Sequence, residues 1–431
     1  MGTGGIAIIA AGVLLFALLS KRLEGTIVSL PIAFVAFGWL IGAGGLGLVH
    51  LELDHGVVHV IAELTLVLVL FADATRIDLK RLLADHNLPQ RTLLVGLPLI
   101  VLSGAAVAMV LFPTMSWAAA FLLAVILAPT DAALGQSVVS NPIVPVRIRQ
   151  ALNVESGLND GIVLPAVLIF AICAGAPAVA SSSTADLALF ALQQVALGPI
   201  AGIVIGALGA LAVNWASGRD WMTQPFEGIA ILAVAALAYV GAELIGGNGF
   251  IGAFVSGLIF GARLRQKCEF LLEFMETEGQ LLTLLTFLIF GAAMVPEVVG
   301  AVSWTIVAYG VLSLTVIRMI PVALSLYGTG LSASTNLFLG WFGPRGLASI
   351  LFVLLILEKY PISGAETVYV TVVVTVLMSV LLHGATAGPL ARSYGKLVNK
   401  SGECEEAKPT SEMPARHKMS LNLPSEEKEV L

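Results

Sequence analysis

The stretch Ala151-Leu-Asn-Val-Glu155-Ser-Gly-Leu-Asn-Asp160-Gly161, which runs directly into the apolar segment from Ile162 to Cys173, decides the fold. It sets two acids, two amides and a hydroxyl inside what hydropathy reads as a membrane-spanning helix. An ionisable side chain near the bilayer centre costs roughly 2.5 to 3.5 kcal/mol on insertion scales, so such groups pair with one another or line ion and proton paths. Outward from this stretch, apolar windows recur from Ile6 to Leu390. The 431-residue chain is 58% hydrophobic and 12% charged, with a mean hydropathy of +0.96. An ordinary soluble domain carries about 25% charged residues. These values predict an all-α polytopic membrane protein whose solvent is the lipid bilayer.

A hydrocarbon core of about 30 Å needs about 20 apolar residues per helix. That ruler predicts thirteen transmembrane spans, near 4–20, 26–48, 57–74, 91–112, 116–139, 150–175, 187–214, 226–245, 249–263, 280–299, 302–327, 333–357 and 364–390. Basic residues follow the odd-numbered spans (Lys21, Arg22, Arg76, Lys80, Arg147, Arg149, Arg219, Arg263, Lys396), while only Lys359 follows an even one. This bias puts the amino terminus outside and the carboxyl terminus in the cytoplasm, in a plasma or bacterial inner membrane. The first apolar stretch has no basic n-region and no cleavage site, so it reads as a span and not as a cleaved leader. Residues 1–398 are expected to form the membrane domain, and 399–431, rich in Glu, Lys, Ser and Pro, a disordered cytoplasmic tail.

Several classes are disfavoured. The net charge of -6 is not pooled in a basic patch, so nucleic acid has no footprint. Cys173, Cys268 and Cys404 are too scattered for a disulfide framework or a thiolate metal site. No phosphate loop appears, which argues against an ATP-driven pump, and no cofactor is expected.

Thirteen divides as six, one and six, and secondary transporters are often built from inverted repeats with interrupted helices at corresponding positions. The fifth span holds Ala128-Pro-Thr-Asp131 and the twelfth Trp341-Phe-Gly-Pro-Arg-Gly346. Both breaks fall on the same element of two inverted six-helix repeats, with Pro129 and Pro344 removing backbone donors. In the sixth span Glu155 and Asn159, like Ser156 and Asp160, are four apart and share one broad helix face. Gly157 and Gly161 form a small-residue stripe for a neighbour expected to be the broken fifth span. That approach would bring Thr130 and Asp131 opposite Asn159 and Asp160, an all-oxygen set suited to alkali cations and protons. A single carboxylate that holds either a cation or a proton is the simplest basis for exchange, and Asp160 is the candidate.

Structural roles compete with this reading. Glu155 is expected to pair with Arg345 and tie the sixth span to the twelfth. Asn159 could bond helix to helix, and Asp131 could cap a broken half-helix at its positive end. Asp73 is as much a snorkelling acid as an access-funnel residue, and Arg318, midway along the eleventh span, needs a partner that the sequence does not name. Glu227 and Glu243 are weaker candidates. His50, His55 and His59, beside Glu52 and Asp54, read as a solvated face in preference to a metal site.

Pro129-Thr-Asp-Ala132, Glu155-Ser-Gly-Leu-Asn-Asp160 and Gly343-Pro-Arg-Gly346 together resemble the motifs of NhaP-type sodium/proton antiporters, of the monovalent cation/proton antiporter superfamily. The resemblance covers roughly Gly4 to Leu390. It implies the NhaA/NhaP-like fold with crossed, unwound fifth and twelfth helices. It also implies a homodimer, interleaved core and dimerisation subdomains, and an elevator-like movement. Asp160 is then the shared cation/proton carrier, with Asp131, Thr130 and Ser156 lining the site and Na+ or K+ held at Asp160, Thr130 and Ser156. Asn159 in front of the carrier acid is the pattern of electroneutral members, and Glu155 and Arg345 match the stabilising ion pair. Ala132 replaces the commoner proline and Gly157 the commoner leucine, which leaves the choice among sodium, lithium and potassium open.

The leading expectation is a transporter, not an enzyme, that exchanges Na+, and Li+ as well, for protons in pH homeostasis. A K+/H+ antiporter of the same fold is the near alternative, and a cation channel, for which no repeated filter sequence is evident, the distant one. An intramembrane aspartyl protease is disfavoured because neither Asp131 nor Asp160 follows Gly-x-Gly.

Overall fold

The computed structural model describes residues 3–23, 28–49, 56–77, 87–175, 184–264, 269–400 and 405–407, and every regular element among them is a helix. Helices α1 (Thr3–Leu23), α2 (Leu30–Ile41) and α3 (Gly56–Arg76) are followed by Asn87–Arg91, a π turn at Thr92–Gly96, and α4 (Leu97–Leu111). An interrupted helix comes next as α5 (Trp117–Ile126) and α6 (Ala132–Val139), and then the long α7 (Val146–Gly175). Helices α8 (Thr184–Ser217), α9 (Gln224–Leu244) and α10 (Gly249–Arg263) precede α11 (Glu269–Ile289), which ends in a second π turn at Phe290–Met294. Helices α12 (Trp304–Leu314) and α13 (Val316–Ser325) meet at a bend on Thr315. The second interrupted helix is α14 (Ala333–Trp341) with α15 (Leu347–Lys359), and α16 (Ala365–Lys400) and a short turn at Glu405–Ala407 complete the described residues. The histidine cluster built on His50 and His55, and the tail from 408 to 431, lie outside them.

Eight helical stretches among the described residues are long and apolar enough to cross a membrane, and Leu30–Ile41, Trp117–Ile126 and Gly249–Arg263 are shorter apolar helices. Their outer surfaces carry Leu18, Val110, Leu244 and Trp304 fully in the open, the reverse of a water-soluble surface. Helical backbones satisfy their own polar groups, which is what hydrocarbon requires.

The interior divides into two clusters. The larger gathers α5, α7, α15 and α16, with every residue of α5 buried except Trp117 and Phe121. The smaller joins α3, α8, α9 and α10 through Phe71, Val213, Ala235 and Phe260. Here Gly202 and Gly206 of α8 lie against the backbone of Gly252 and Ser256 on α10, where an added Cβ would overlap the carbonyl oxygens. Dispersion between closely approaching backbones holds such helix pairs in lipid.

The glycine stripe of α7 takes a neighbour other than the one expected. Gly161 seats the ring of Phe254 from α10, and Gly157 faces Ile77 just beyond α3. A flat ring needs the space a Cβ would fill, so the stripe docks α10. The polar flank of α7 is what meets the broken helix.

Candidate functional site

Each interrupted helix starts on a hydroxyl cap, Ser116 accepting the N–H of Ala119 and Ser332 that of Thr335. Each stops just before a proline that cannot continue the ladder. The two unwound stretches meet. The N–H of Asp131 donates to the carbonyl oxygen of Pro344 at 2.8 Å. Ser349 Oγ donates to the Ile126 carbonyl at 2.7 Å. Arg345 Nη1 donates to the carbonyls of Ala128 and Pro129 at 2.6 and 3.2 Å.

Asp131 serves both second halves at once. Its Oδ1 accepts the N–H of Ala133 and its Oδ2 that of Leu347, each at 2.7 Å. One carboxylate therefore caps the N-terminal ends of α6 and α15, while one guanidinium covers the carbonyls past the end of α5. Each charge is opposite in sign to the helix end it faces. Gly346 carries no side chain because the Asp131 carboxylate occupies the space a Cβ would need. The capping role weighed for Asp131 is the one its contacts display, and it extends to two helices.

The polar flank of α7 meets this crossing at Thr130. Thr130 Oγ1 lies 2.8 Å from Ser156 Oγ and accepts a hydrogen from Asn159 Nδ2 at 2.7 Å. Asn159 Oδ1 is buried and has no hydrogen-bond partner among the described residues. Asp160 sits one helical turn beyond Ser156 on the same face, and all four side chains are buried. The structure thus brings Thr130, Ser156 and Asn159 into contact, with Asp131 and Asp160 next to them in the chain.

The direct partner of Glu155 is Arg318, not Arg345. Arg318 Nη1 lies 2.7 Å from Glu155 Oε1, with both side chains almost fully buried. Arg318 reaches it from just past the Thr315 bend by lying across Gly343, whose missing Cβ leaves room for the guanidinium. Arg345 belongs to the same electrostatic cluster as Glu155 and Arg318, but its donors go to the carbonyls of the first break. Those carbonyls, left without helical donors where the chain unwinds between α5 and α6, take both hydrogen bonds that Arg345 Nη1 makes. The unassigned partner of Arg318 in the sequence was the one available signal of this pairing.

One cavity borders the first break and another borders α7. The first, of about 50 Å³, is lined by Asp73, Arg76, Ala132, Ala133 and Gln136, so Asp73 stands at an opening beside the start of α6, 4.0 Å from Arg76. The other, of about 320 Å³, is lined by Glu63, Tyr239, Glu358 and Lys359 and by Leu164 of α7. Leu164 is one turn past Asp160, about 6 Å along the helix. Glu63, which the sequence did not single out, accepts the Tyr239 hydroxyl hydrogen at 3.0 Å. The weaker candidates have structural partners: Glu243 accepts the N–H of Gly249 at the start of α10, and Glu227 the hydroxyl of Ser217.

Comparison with known proteins gives this geometry a family. Residues 8–393 match the model of the family described as sodium/hydrogen exchanger, transmembrane. The K(+)/H(+) antiporter NhaP of Alkalimonas amylolytica is 27% identical over 357 residues, 81% of this chain and 60% of that protein. The Na(+)/H(+) antiporter of Schizosaccharomyces pombe is 27% identical over 316 residues, 69% of this chain and 66% of that protein. The chain thus spans only about 60% of the length of the Alkalimonas relative. The sodium proton antiporter MjNhaP1 from Methanocaldococcus jannaschii shares the fold, with a TM-score of 0.72 at 20% identity over 91% of this chain and 98% of that one. Since the family model takes in nearly the whole helical body, from α1 to α16, the chain belongs to the sodium/hydrogen exchanger family.

Proposed function

We propose that the protein is an electroneutral antiporter that exchanges a monovalent cation, sodium or lithium, for a proton, with Asp160 as the shared carrier. The observation that carries this reading is a charge imbalance. Around the crossing and on α7 the described residues bury three acids, Asp131, Glu155 and Asp160, and two arginines, Arg318 and Arg345. A buried net charge is very unfavourable. One proton or one monovalent cation restores balance, and either does so equally, which is the condition for one-for-one exchange. Discharging Asp131 would uncap two helices and discharging Glu155 would strand Arg318, so the variable charge falls to Asp160. Thr130, Ser156 and Asn159 offer neutral hard oxygens beside it.

Alternating access uses the two cavities, the one at Asp73 and Ala132 facing the cytoplasm and the one at Glu63 and Leu164 facing outward. This assignment follows the positive-inside bias, with the amino terminus outside and thirteen spans arranged as two inverted repeats. Residues 1–398 act as one transport domain followed by a cytoplasmic tail. The separate cluster of α3, α8, α9 and α10 supports a dimerisation unit against which the core slides in a homodimer, in a plasma or bacterial inner membrane. Potassium/proton exchange is the second reading, favoured by the K(+)/H(+) name of the Alkalimonas relative.

The test is dequenching of a pH-sensitive dye in proteoliposomes on addition of sodium, lithium or potassium, comparing the parent protein with Asp160→Asn. A cation-selective signal that vanishes in the variant is expected and names the ion. Full exchange by folded Asp160→Asn would remove Asp160 as carrier.

A further inference from the structure

Four helix ends converge at the crossing, and the contacts of Asp131 and Arg345 serve three of them. The fourth is the C-terminal end of α14, whose last carbonyl belongs to Trp341. His383 of α16, itself fully buried, reaches that carbonyl, with Nε2 at 3.0 Å from the oxygen. In the tautomer with its hydrogen on Nε2 the ring donates to this carbonyl, which can only accept, and the Ser379 hydroxyl is the group able to donate to Nδ1 in return. On the other side of the ring, Nδ1 lies 3.1 Å from both Oγ and the carbonyl oxygen of Ser379. The same Ser379 Oγ accepts the backbone N–H of Arg345 at 2.6 Å. Helix α16 therefore holds the unwound stretch at both ends, Trp341 through His383 and Arg345 through Ser379. The Trp341 ring packs on the imidazole at 4.8 Å between centroids, and its Nε1 donates to Thr386 one turn further along α16.

Between the two held points lie Gly343, across which Arg318 passes, and the start of the arginine that covers the first break. Both buried cations that balance the acids thus depend on where this stretch is kept. We propose that His383 is a positioning residue: by donating from Nε2 to Trp341 it sets the unwound segment, and through it Arg318 and Arg345, without touching the transported ion. This rests on the exchange reading above.

The two ring nitrogens are separable by substitution, because a glutamine amide nitrogen falls near the place of Nε2 and an asparagine amide nitrogen near that of Nδ1. Parent protein, His383→Gln, His383→Asn, His383→Ala and Ser379→Ala are reconstituted as folded dimers or monomers of equal monodispersity. Maximal exchange rate and cation KM are then measured for each. A misplacement of about 1 Å can cost on the order of a hundredfold in rate, so His383→Ala and His383→Asn are expected to lose about tenfold or more, with KM raised, while His383→Gln keeps most of both. Ser379→Ala is expected to weaken exchange as well. Should His383→Ala not fold, the contrast between glutamine and asparagine carries the test. Unchanged kinetics in His383→Asn, or equal loss in glutamine and asparagine, overturns the assignment. So does a drop in thermal stability alone with intact rate and KM. Asp160→Asn run in parallel keeps the two readings apart. A parent protein that moves no proton against any cation defeats the transport reading, whereas an active parent matched by His383→Asn defeats only this inference.

Discussion

Asp131 and Leu347 are joined across the two interrupted helices: Oδ2 of the acid accepts the backbone N–H of the leucine at 2.7 Å while Oδ1 holds that of Ala133. A single side chain from the first break thus starts a helix in each of the two broken elements. Asp131→Asn keeps one acceptor and turns an N–H₂ toward a helix end that already presents N–H groups. Loss of one cap and of the favourable charge is expected to lower stability by about 2 kcal/mol, read as thermal unfolding of the purified protein. A variant as stable as its parent would show that the carboxylate does not cap.

Gly346→Ala places a methyl group where the Asp131 carboxylate lies. Neither partner can yield without releasing Leu347, so the variant should exchange slowly even where it folds, with a loss of at least about tenfold. The same assay on Gly364→Ala, a glycine with open space around it but a positive φ of 81°, separates crowding at the crossing from backbone strain in a turn. Equal exchange rates in the two variants would remove the crowding argument.

Glu155 and Arg318 should behave as one unit. Removing either partner strands a buried charge and costs about 3 kcal/mol or more. The double variant Glu155→Gln with Arg318→Gln should cost less than the sum, with a coupling of about 1 kcal/mol or more. The cycle that pairs Glu155 with Arg345 is expected to show weaker coupling, since Arg345 spends its donors on Ala128 and Pro129. A stronger coupling there would reinstate the pairing expected from sequence.

Beyond α16, Glu406 fastens the turn at Glu405–Ala407 to the start of α14. Its Oε1 accepts the N–H of Ser332 at 2.9 Å and the hydroxyl of Thr335 at 2.8 Å, while Glu405 pairs with Arg147 at 3.2 Å near the start of α7. Burial alone would raise the Glu406 carboxyl, but these donors outweigh it and hold it at about 2, below the ordinary 4.5. A depressed carboxyl stabilises the docked state at every pH above its ordinary value, and that contribution fades only as pH falls from 4.5 toward about 2. Hydrogen exchange at the Ser332 amide should therefore show constant protection from neutral pH down to the ordinary carboxylate range. Glu406→Gln should lose protection at neutral pH. Protection that declines already near neutrality would point to another group.

How far the chain can be read without its fold differs from residue to residue. The spacing of Glu155, Ser156, Asn159 and Asp160 puts them on one face, because helical periodicity is local. Pro129 and Pro344 mark the breaks, because a missing N–H is a property of the residue itself. The all-helical membrane class follows from hydropathy, which needs no partner to be known.

What the fold alone decided are the pairings between segments far apart in sequence. That Glu155 meets Arg318 depends on the bend at Thr315 and the bare backbone of Gly343, neither of which has a periodic signature. That the glycine stripe of α7 receives Phe254, and not the broken helix, depends on which neighbour presents a ring at that height. The place of His383 against Trp341 was invisible for the same reason: a lone histidine in an apolar helix shows its use only when the carbonyl it satisfies has been brought to it. Composition and periodicity determined the solvent, the helices and the face that carries the acids, since these arise from each residue and its near neighbours. The counter-charges and caps that let those acids stay buried were decided by tertiary contact, because only there does a freed backbone group or a buried charge find what neutralises it.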